Sequence, residues 1–99
     1  MNYKRLNPRF DHPFSVTINF GEYLLNGQAT NPSAFGASVE ISTFAYEHLQ
    51  ENKALWEKNR RVTVVTALND LPGSINCLYM NAGKFYLSLK LLDNRSWYN

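Results

Sequence analysis

Residues 14–20, Phe-Ser-Val-Thr-Ile-Asn-Phe, decide the fold class because apolar and polar side chains alternate along them without interruption. In an extended chain this alternation places the four apolar side chains on one face and the three polar side chains on the other. A period of two is typical of a strand with one face in a core and one face in water. The sequence therefore predicts a first strand over residues 14–20.

Further strand signals follow along the chain, and one helical segment interrupts them. Strands are predicted at 24–30, 37–42, 61–68, 74–80 and 84–92, with turns at 31–36, 71–73 and 81–83. Between the third and fourth strands, residues 43–59 carry apolar side chains at helical spacing, and Ser42 or Thr43 can cap that helix. Short antiparallel strands bury their alternating faces best by closing on themselves. We therefore predict an all-β, six-stranded antiparallel barrel with one short helix between strands three and four.

Composition narrows the classes of function. The 99 residues fit one domain, and the net charge of +2 is too small for a general binder of nucleic-acid polymers. A single cysteine excludes an intramolecular disulfide, and no apolar run approaches the ~20 residues that span a bilayer. We find no paired carboxylates, nucleophile–base pattern or metal-ligand set. The expectation is a cytoplasmic protein that is not an enzyme and has no cofactor or membrane span.

The positive charge is concentrated at the start of the chain. Lys4, Arg5 and Arg9 lie within the first nine residues, which contain no acidic residue. Pro8 and Pro13 restrict the local backbone to extended forms, and no period is sustained here. We predict a flexible N-terminal arginine arm over residues 1–13 and a barrel domain over residues 14–99.

Two short motifs carry residue types that suit a guanine nucleotide. Residues 5–9 form Arg-x-x-x-Arg, and residues 31–36 form Asn-x-Ser-x-x-Gly. A guanidinium group can grip a phosphate or bond the O6 and N7 atoms of guanine through two donors. Asn31 offers amide donors and an acceptor to a base, and Ser33 offers a small hydroxyl group. Gly36 permits a positive backbone angle or tight packing.

Together the two motifs resemble those of the PilZ domain, the bacterial receptor module for cyclic di-GMP. Here the second motif begins 22 positions after Arg9. The resemblance implies a six-stranded barrel of about this length, with the first motif before strand one and the second between strands two and three. It also implies that Arg5 and Arg9 wrap the phosphates and guanines, that Asn31 and Ser33 hold a guanine from the barrel surface, and that Gly36 shapes the turn. Lys4 is included among the predicted ligand-binding residues because of its charge, although the motif does not require it.

The function implied by the resemblance is that of a nucleotide-binding receptor in second-messenger signal transduction. Binding of cyclic di-GMP, as one molecule or as a stacked pair, would order the arm and relay the signal to an unidentified protein partner. Motility and biofilm regulation are among the outputs of this family. One alternative is a PilZ-like adaptor that binds protein and no nucleotide. Another is a barrel that stacks single-stranded nucleic acid on Tyr79, Phe85 and Tyr86, although the small net charge argues against it.

Three further residues receive structural interpretations. Cys77 falls in a predicted strand and is expected to be a small buried hydrophobic residue. Phe44 and Trp56 are expected to fill the core beside the helix.

Overall fold

The computed structural model describes residues 14–33, 35–92 and 97. All the strand pairs within these residues are antiparallel, and the sheet closes into a barrel in the order β1-β2-β3-β6-β5-β4. The strands are β1 (Phe14–Asn19), β2 (Leu24–Ser33), β3 (Gly36–Ile41), β4 (Arg61–Val65), β5 (Asp70–Asn81) and β6 (Lys84–Leu91). One α-helix, α1 (Thr43–Glu51), and a 3₁₀ helix (Lys53–Trp56) lie between β3 and β4. The predicted fold class is confirmed, whereas the predicted arm, residues 1–13, lies outside the described residues.

The core fills the barrel with the apolar side chains that the alternating pattern predicts. Every strand contributes, and Ile18 of β1, Val39 of β3, Val64 of β4 and Leu87 of β6 have no exposed surface. Fully burying side chains of this size contributes about 1.5–3 kcal/mol each. Gly27 faces this interior on β2, and a Cβ there would lie 2.5 Å from Val39 Cγ1. This is the close approach that a glycine within a strand indicates.

Helix α1 begins where the sequence predicts, but it buries different residues. The Ser42 hydroxyl caps the helix by accepting a hydrogen bond from the backbone N–H of Ala45 at 3.0 Å. The prediction for Phe44 is wrong: it is 78% exposed, because Ala45 and Leu49 form the face of α1 that packs on the barrel. Trp56 is half-buried against the core, and its indole N–H donates to the carbonyl oxygen of Leu49 at 2.6 Å.

The turn between β4 and β5 comes earlier than predicted. Val65 ends β4, and the Thr66 hydroxyl accepts hydrogen bonds from the backbone N–H groups of Leu68 and Asn69. Residues 71–73, predicted as a turn, belong to β5 instead. Proline lacks an N–H donor, but Pro72 lies near the start of β5 beside the end of β6, and its carbonyl still accepts from the Leu92 N–H at 3.0 Å.

Cys77 is exposed, so the prediction that it is buried is wrong. The register of β5 against β6 shifts between Ile75 and Cys77, because Asn76 is an extra residue opposite Ser88. This bulge reverses the alternation, so the inward-facing residue after Ile75 is Leu78 rather than Cys77. The hairpin that follows is confirmed: Ala82 and Gly83 connect β5 to β6, both with positive φ, as a two-residue turn of this type requires.

Arg60 joins three segments at the end of the barrel that α1 covers. Its guanidinium group donates to the carbonyl oxygens of Ala54 at 2.9 Å and Phe20 at 2.8 Å. It also forms an ion pair with Glu22 at 2.7 Å. The Arg60 side chain is 24% exposed, whereas that of Glu22 is 63% exposed. The two carbonyl contacts therefore matter more to stability than the solvated ion pair.

Replacing Arg60 with alanine should lower the free energy of unfolding by about 2 kcal/mol, because the partly buried Phe20 carbonyl and the exposed Ala54 carbonyl both lose a charged donor. The matched change Glu22→Gln should cost less than about 1 kcal/mol, since an exposed ion pair contributes little. Urea unfolding followed by circular dichroism measures both. Equal losses in the two variants would contradict this account.

Candidate functional site

The end of β2 brings the first candidate residues into place. The strand runs on through the predicted turn to Ser33, but its register against β3 shifts between Thr30 and Ser33. Asn31 lies in this irregular stretch with a φ of 49°, a left-handed conformation that asparagine tolerates better than most residues. Its side chain is exposed. The amide of Asn31 is therefore presented to solvent instead of being used in the sheet.

Ser33 organises the turn from β2 to β3. Its hydroxyl accepts from the backbone N–H of Phe35 at 3.2 Å and lies 3.4 Å from the carbonyl oxygen of Gly36. The Ser33 carbonyl in turn accepts from the indole N–H of Trp97 at 2.7 Å. Trp97 is 3% exposed and meets the edge of Phe14, with the ring centroids 6.0 Å apart. The turn is thus held by hydrogen bonds of the Ser33 side chain and by the buried Trp97 beneath it.

Gly36 allows the turn to join the barrel. A Cβ on this residue would overlap the backbone carbonyl oxygen of Leu89 on β6 and lie 3.1 Å from the Cα of Lys90. Backbone atoms of a paired strand have little freedom to move away. The requirement for glycine at this motif position is therefore steric.

A shallow depression of about 340 Å³ contains all three of these residues. Asn31, Ser33 and Gly36 lie on its β2–β3 side, and Lys90 lies across from them on β6. Among the described residues that line the depression, Lys90 is the only charged one. The depression therefore offers hydroxyl and amide groups together with one cation.

Sequence reasoning did not identify the rest of this surface. Ser38 and Ser88 face each other across β3 and β6, and the amide nitrogen of Asn76 lies 3.3 Å from the Ser88 hydroxyl. The alternation in the last strand indicated that the side chains of Ser88 and Lys90 face outward. It did not indicate which strand lies beside them. Asn76 reaches the depression through the bulge in β5, which no local pattern marks.

The first described residue, Phe14, lies near the same place. It pairs with Ala29, two positions before Asn31 on β2. The start of β1 therefore lies at the barrel end that carries Asn31 and Ser33. Lys4, Arg5 and Arg9 themselves lie outside the described residues.

A second and larger groove, of about 740 Å³, crosses the outer face of β1, β2 and β3. Its polar side chains are partly paired with one another: Thr17 donates to Asn26 at 2.8 Å, and Gln28 donates to Ser15 at 3.3 Å. Glu40 is the only charged group among the described residues that line it. Glu40 forms an ion pair with Lys84 at 3.8 Å, but Lys84 does not line the groove. The described lining therefore offers an anionic ligand a carboxylate and no cation, so the smaller depression is the better candidate.

No protein-family model, curated protein or solved structure matches the chain. Within residues 14–33, 35–92 and 97, no group of three or more His, Cys, Asp or Glu side chains is placed to hold a metal ion. None of the helices in that part of the chain is long and apolar enough to cross a membrane. The site must therefore be interpreted from its own geometry and chemistry.

Replacing Gly36 with alanine should destabilise the barrel by more than about 3 kcal/mol, because the new methyl group meets backbone atoms. Gly21→Ala is the control: Gly21 has a φ of 99°, but a Cβ added there would have no atom within 4 Å. That change should cost about 1–2 kcal/mol through backbone conformation alone. Thermal unfolding of both variants gives the comparison, and a Gly36→Ala protein as stable as Gly21→Ala would refute the steric argument.

Proposed function

We propose that this chain is a cyclic di-GMP receptor of the PilZ type. The observation that carries the proposal is the shared position of Asn31, Ser33, Gly36 and Lys90 around one depression. That depression lies at the end of the barrel where β1 begins. The residues of the second motif thus face the same region from which the segment with Arg5 and Arg9 continues.

The size of the depression suits one nucleobase and part of its sugar-phosphate. Binding sites for small ligands range from about 300 to 1,000 Å³. At 340 Å³ the depression is near the lower limit, so it does not enclose a whole cyclic dinucleotide. The Asn31 amide can donate to and accept from a base edge. Lys90 supplies a point charge for a phosphate or for the O6 and N7 atoms of guanine. The remainder of the ligand then requires groups from elsewhere in the chain.

Arg5 and Arg9 are close enough along the sequence to supply those groups. Arg9 precedes Phe14 by five residues, a length of chain that spans at most about 17 Å. Arg5 precedes it by nine residues, at most about 31 Å. Planar guanidinium forks bind phosphate and guanine through paired hydrogen bonds. In the proposed complex both arginines close over a ligand that the barrel holds from below, and Lys4 adds charge.

Phe35 adds an aromatic surface at the rim. It lies between Ser33 and Gly36 in the turn, lines the depression and is 80% exposed. Stacking of a base on an aromatic ring is worth about 1–3 kcal/mol by alanine substitution. We include Phe35 in the proposed site as the residue that stacks on a guanine.

The proposed signal arises when residues 1–13 close over the bound ligand. Binding fixes residues 1–13 against the barrel and creates a surface composed of arm, ligand and the β2–β3 turn. A cytoplasmic protein partner recognises that surface, so the receptor relays the signal without catalysing a reaction. Part of the contact energy is offset by ordering the arm.

Calorimetry with cyclic di-GMP tests the proposal directly. The wild-type chain should bind with micromolar affinity, about 8 kcal/mol. Arg5→Ala, Arg9→Ala and Asn31→Ala should each weaken binding by about 1–3 kcal/mol, as expected for loss of a base contact. Arg61→Ala is the matched control, since Arg61 is an exposed arginine on β4 outside the depression, and it should bind normally.

Absence of heat with the wild-type chain would exclude the receptor. A partner protein captured equally well by wild type and Arg9→Ala, with or without nucleotide, would then favour the PilZ-like adaptor. Binding of single-stranded nucleic acid with a steep dependence on salt would favour the third interpretation.

The role of Phe35 is tested by a pair of equally exposed phenylalanines. Phe35→Ala should weaken binding of cyclic di-GMP about 5–150-fold, because a stacking partner is lost. Phe44→Ala removes the same side chain from α1, where it is 78% exposed, and should leave affinity unchanged. Equal affinities for both variants would remove Phe35 from the site.

A further inference from the structure

The second half of β5 has a free edge. Up to Ile75 its outer side is bonded: the Ile75 N–H donates to the Arg60 carbonyl oxygen, and the Ile75 carbonyl accepts from the Asn59 N–H. Beyond Ile75, the strand pairs with β6 on one side through Asn81. Among the described residues no strand pairs with its other side. The barrel thus closes around the first half of β5 and leaves the second half as an edge.

The hydrogen-bonding groups on this edge can be identified. The Leu92 N–H donates to the Pro72 carbonyl oxygen, whereas the Leu91 N–H donates to Phe35 across from β3. The backbone N–H and C=O groups of even-numbered residues in β6 therefore point toward β5. Tyr86 is one of these residues, and it pairs with Tyr79. Because bonding direction alternates along a strand, the N–H and C=O groups of Leu78 and Met80 point away from β6. These four groups are free to bond another strand.

The edge lacks the usual protection against pairing. Residues 76–81, Asn-Cys-Leu-Tyr-Met-Asn, contain no charge and no proline, although charges and prolines are what commonly block an exposed edge. Met80 is 61% exposed. Closing a barrel is itself a way to remove edges, so an unblocked edge on a closed barrel points to a partner strand.

We propose that this edge pairs antiparallel with the same edge of a second copy, giving a two-fold symmetric dimer. One register bonds all four free groups, with Leu78 opposite Met80 of the other copy. Tyr79 then lies opposite its own counterpart on the dyad, in a pair without direct hydrogen bonds. Such pairs bring side chains closest together.

A second observation favours this self-pairing. Tyr79 and Tyr86 already stack on the outer face, with ring centroids 5.1 Å apart, and the Tyr79 hydroxyl lies 2.7 Å from the Ser38 hydroxyl. In the proposed register the two copies of this stack become one row of four tyrosines across the dyad. Aromatic cross-strand pairs stabilise a sheet beyond their backbone hydrogen bonds. The pairing does not depend on cyclic di-GMP.

Analytical ultracentrifugation of the full chain tests the dimer. The wild type should sediment as a species of twice 11.4 kDa. Met80→Lys places a charge on the edge, and Met80→Pro removes an N–H that bonds none of the described residues of its own chain. Both variants should dissociate at least tenfold more readily, whereas the uncharged strand-former in Met80→Thr should leave the dimer intact. Unchanged circular dichroism and thermal unfolding of the monomer show that the variants fold.

A crosslink tests the register. Tyr79→Cys in a Cys77→Ser background should form a disulfide-linked dimer on mild oxidation, because residues opposite each other in such a pair have Cα atoms about 4.5 Å apart. Tyr86→Cys in the same background, one strand further from the dyad, should not. A wild-type chain that stays monomeric at the millimolar concentrations of NMR would overturn the proposal. So would a dimer that persists in both Met80→Lys and Met80→Pro.

Discussion

The contact between the backbones of β3 and β6 at Gly36 is the constraint on which the rest of the structure depends. Because residue 36 has no side chain, β3 can begin directly against the Leu89 carbonyl and pair along its whole length with β6. That pairing links the β1-β2-β3 half of the barrel to the β5-β4 half. The same contact brings the β2–β3 turn beside Lys90, so barrel closure and site assembly share one cause.

The division of the proposed site between barrel and arm follows from where the charge lies. The described part of the depression carries hydroxyl and amide groups and one lysine, which orient a ligand more than they attract one. A dianionic ligand requires further cations, and the first nine residues hold three. Within the barrel, Trp97 joins the β2–β3 turn to the start of β1, since it bonds Ser33 and packs against Phe14.

The sequence allowed prediction of the features that depend on local periodicity and little of what depends on strand neighbours. Alternation located β1 and β3, strand-forming residue types and turn signals located the other four strands, and the helical spacing after Ser42 located α1. Cys77 was misjudged because one extra residue in β5 reverses the alternation, and a bulge of this kind has no local signature. Phe44 was misjudged because the helix buries a narrow face. For the site, the motif indicated Asn31, Ser33 and Gly36, whereas Lys90 joins them only through the pairing of β3 with β6.

The most direct test of the central claim is the mapping of backbone amide shifts while cyclic di-GMP is titrated into the labelled chain. Our account predicts that Asn31, Ser33, Phe35 and Lys90 shift together with Arg5 and Arg9, with one common saturation curve. Amides lining the larger groove, such as those of Asn26 and Gln28, should stay in place. Shifts confined to that groove, or a barrel response in which the arginine amides take no part, would contradict the account.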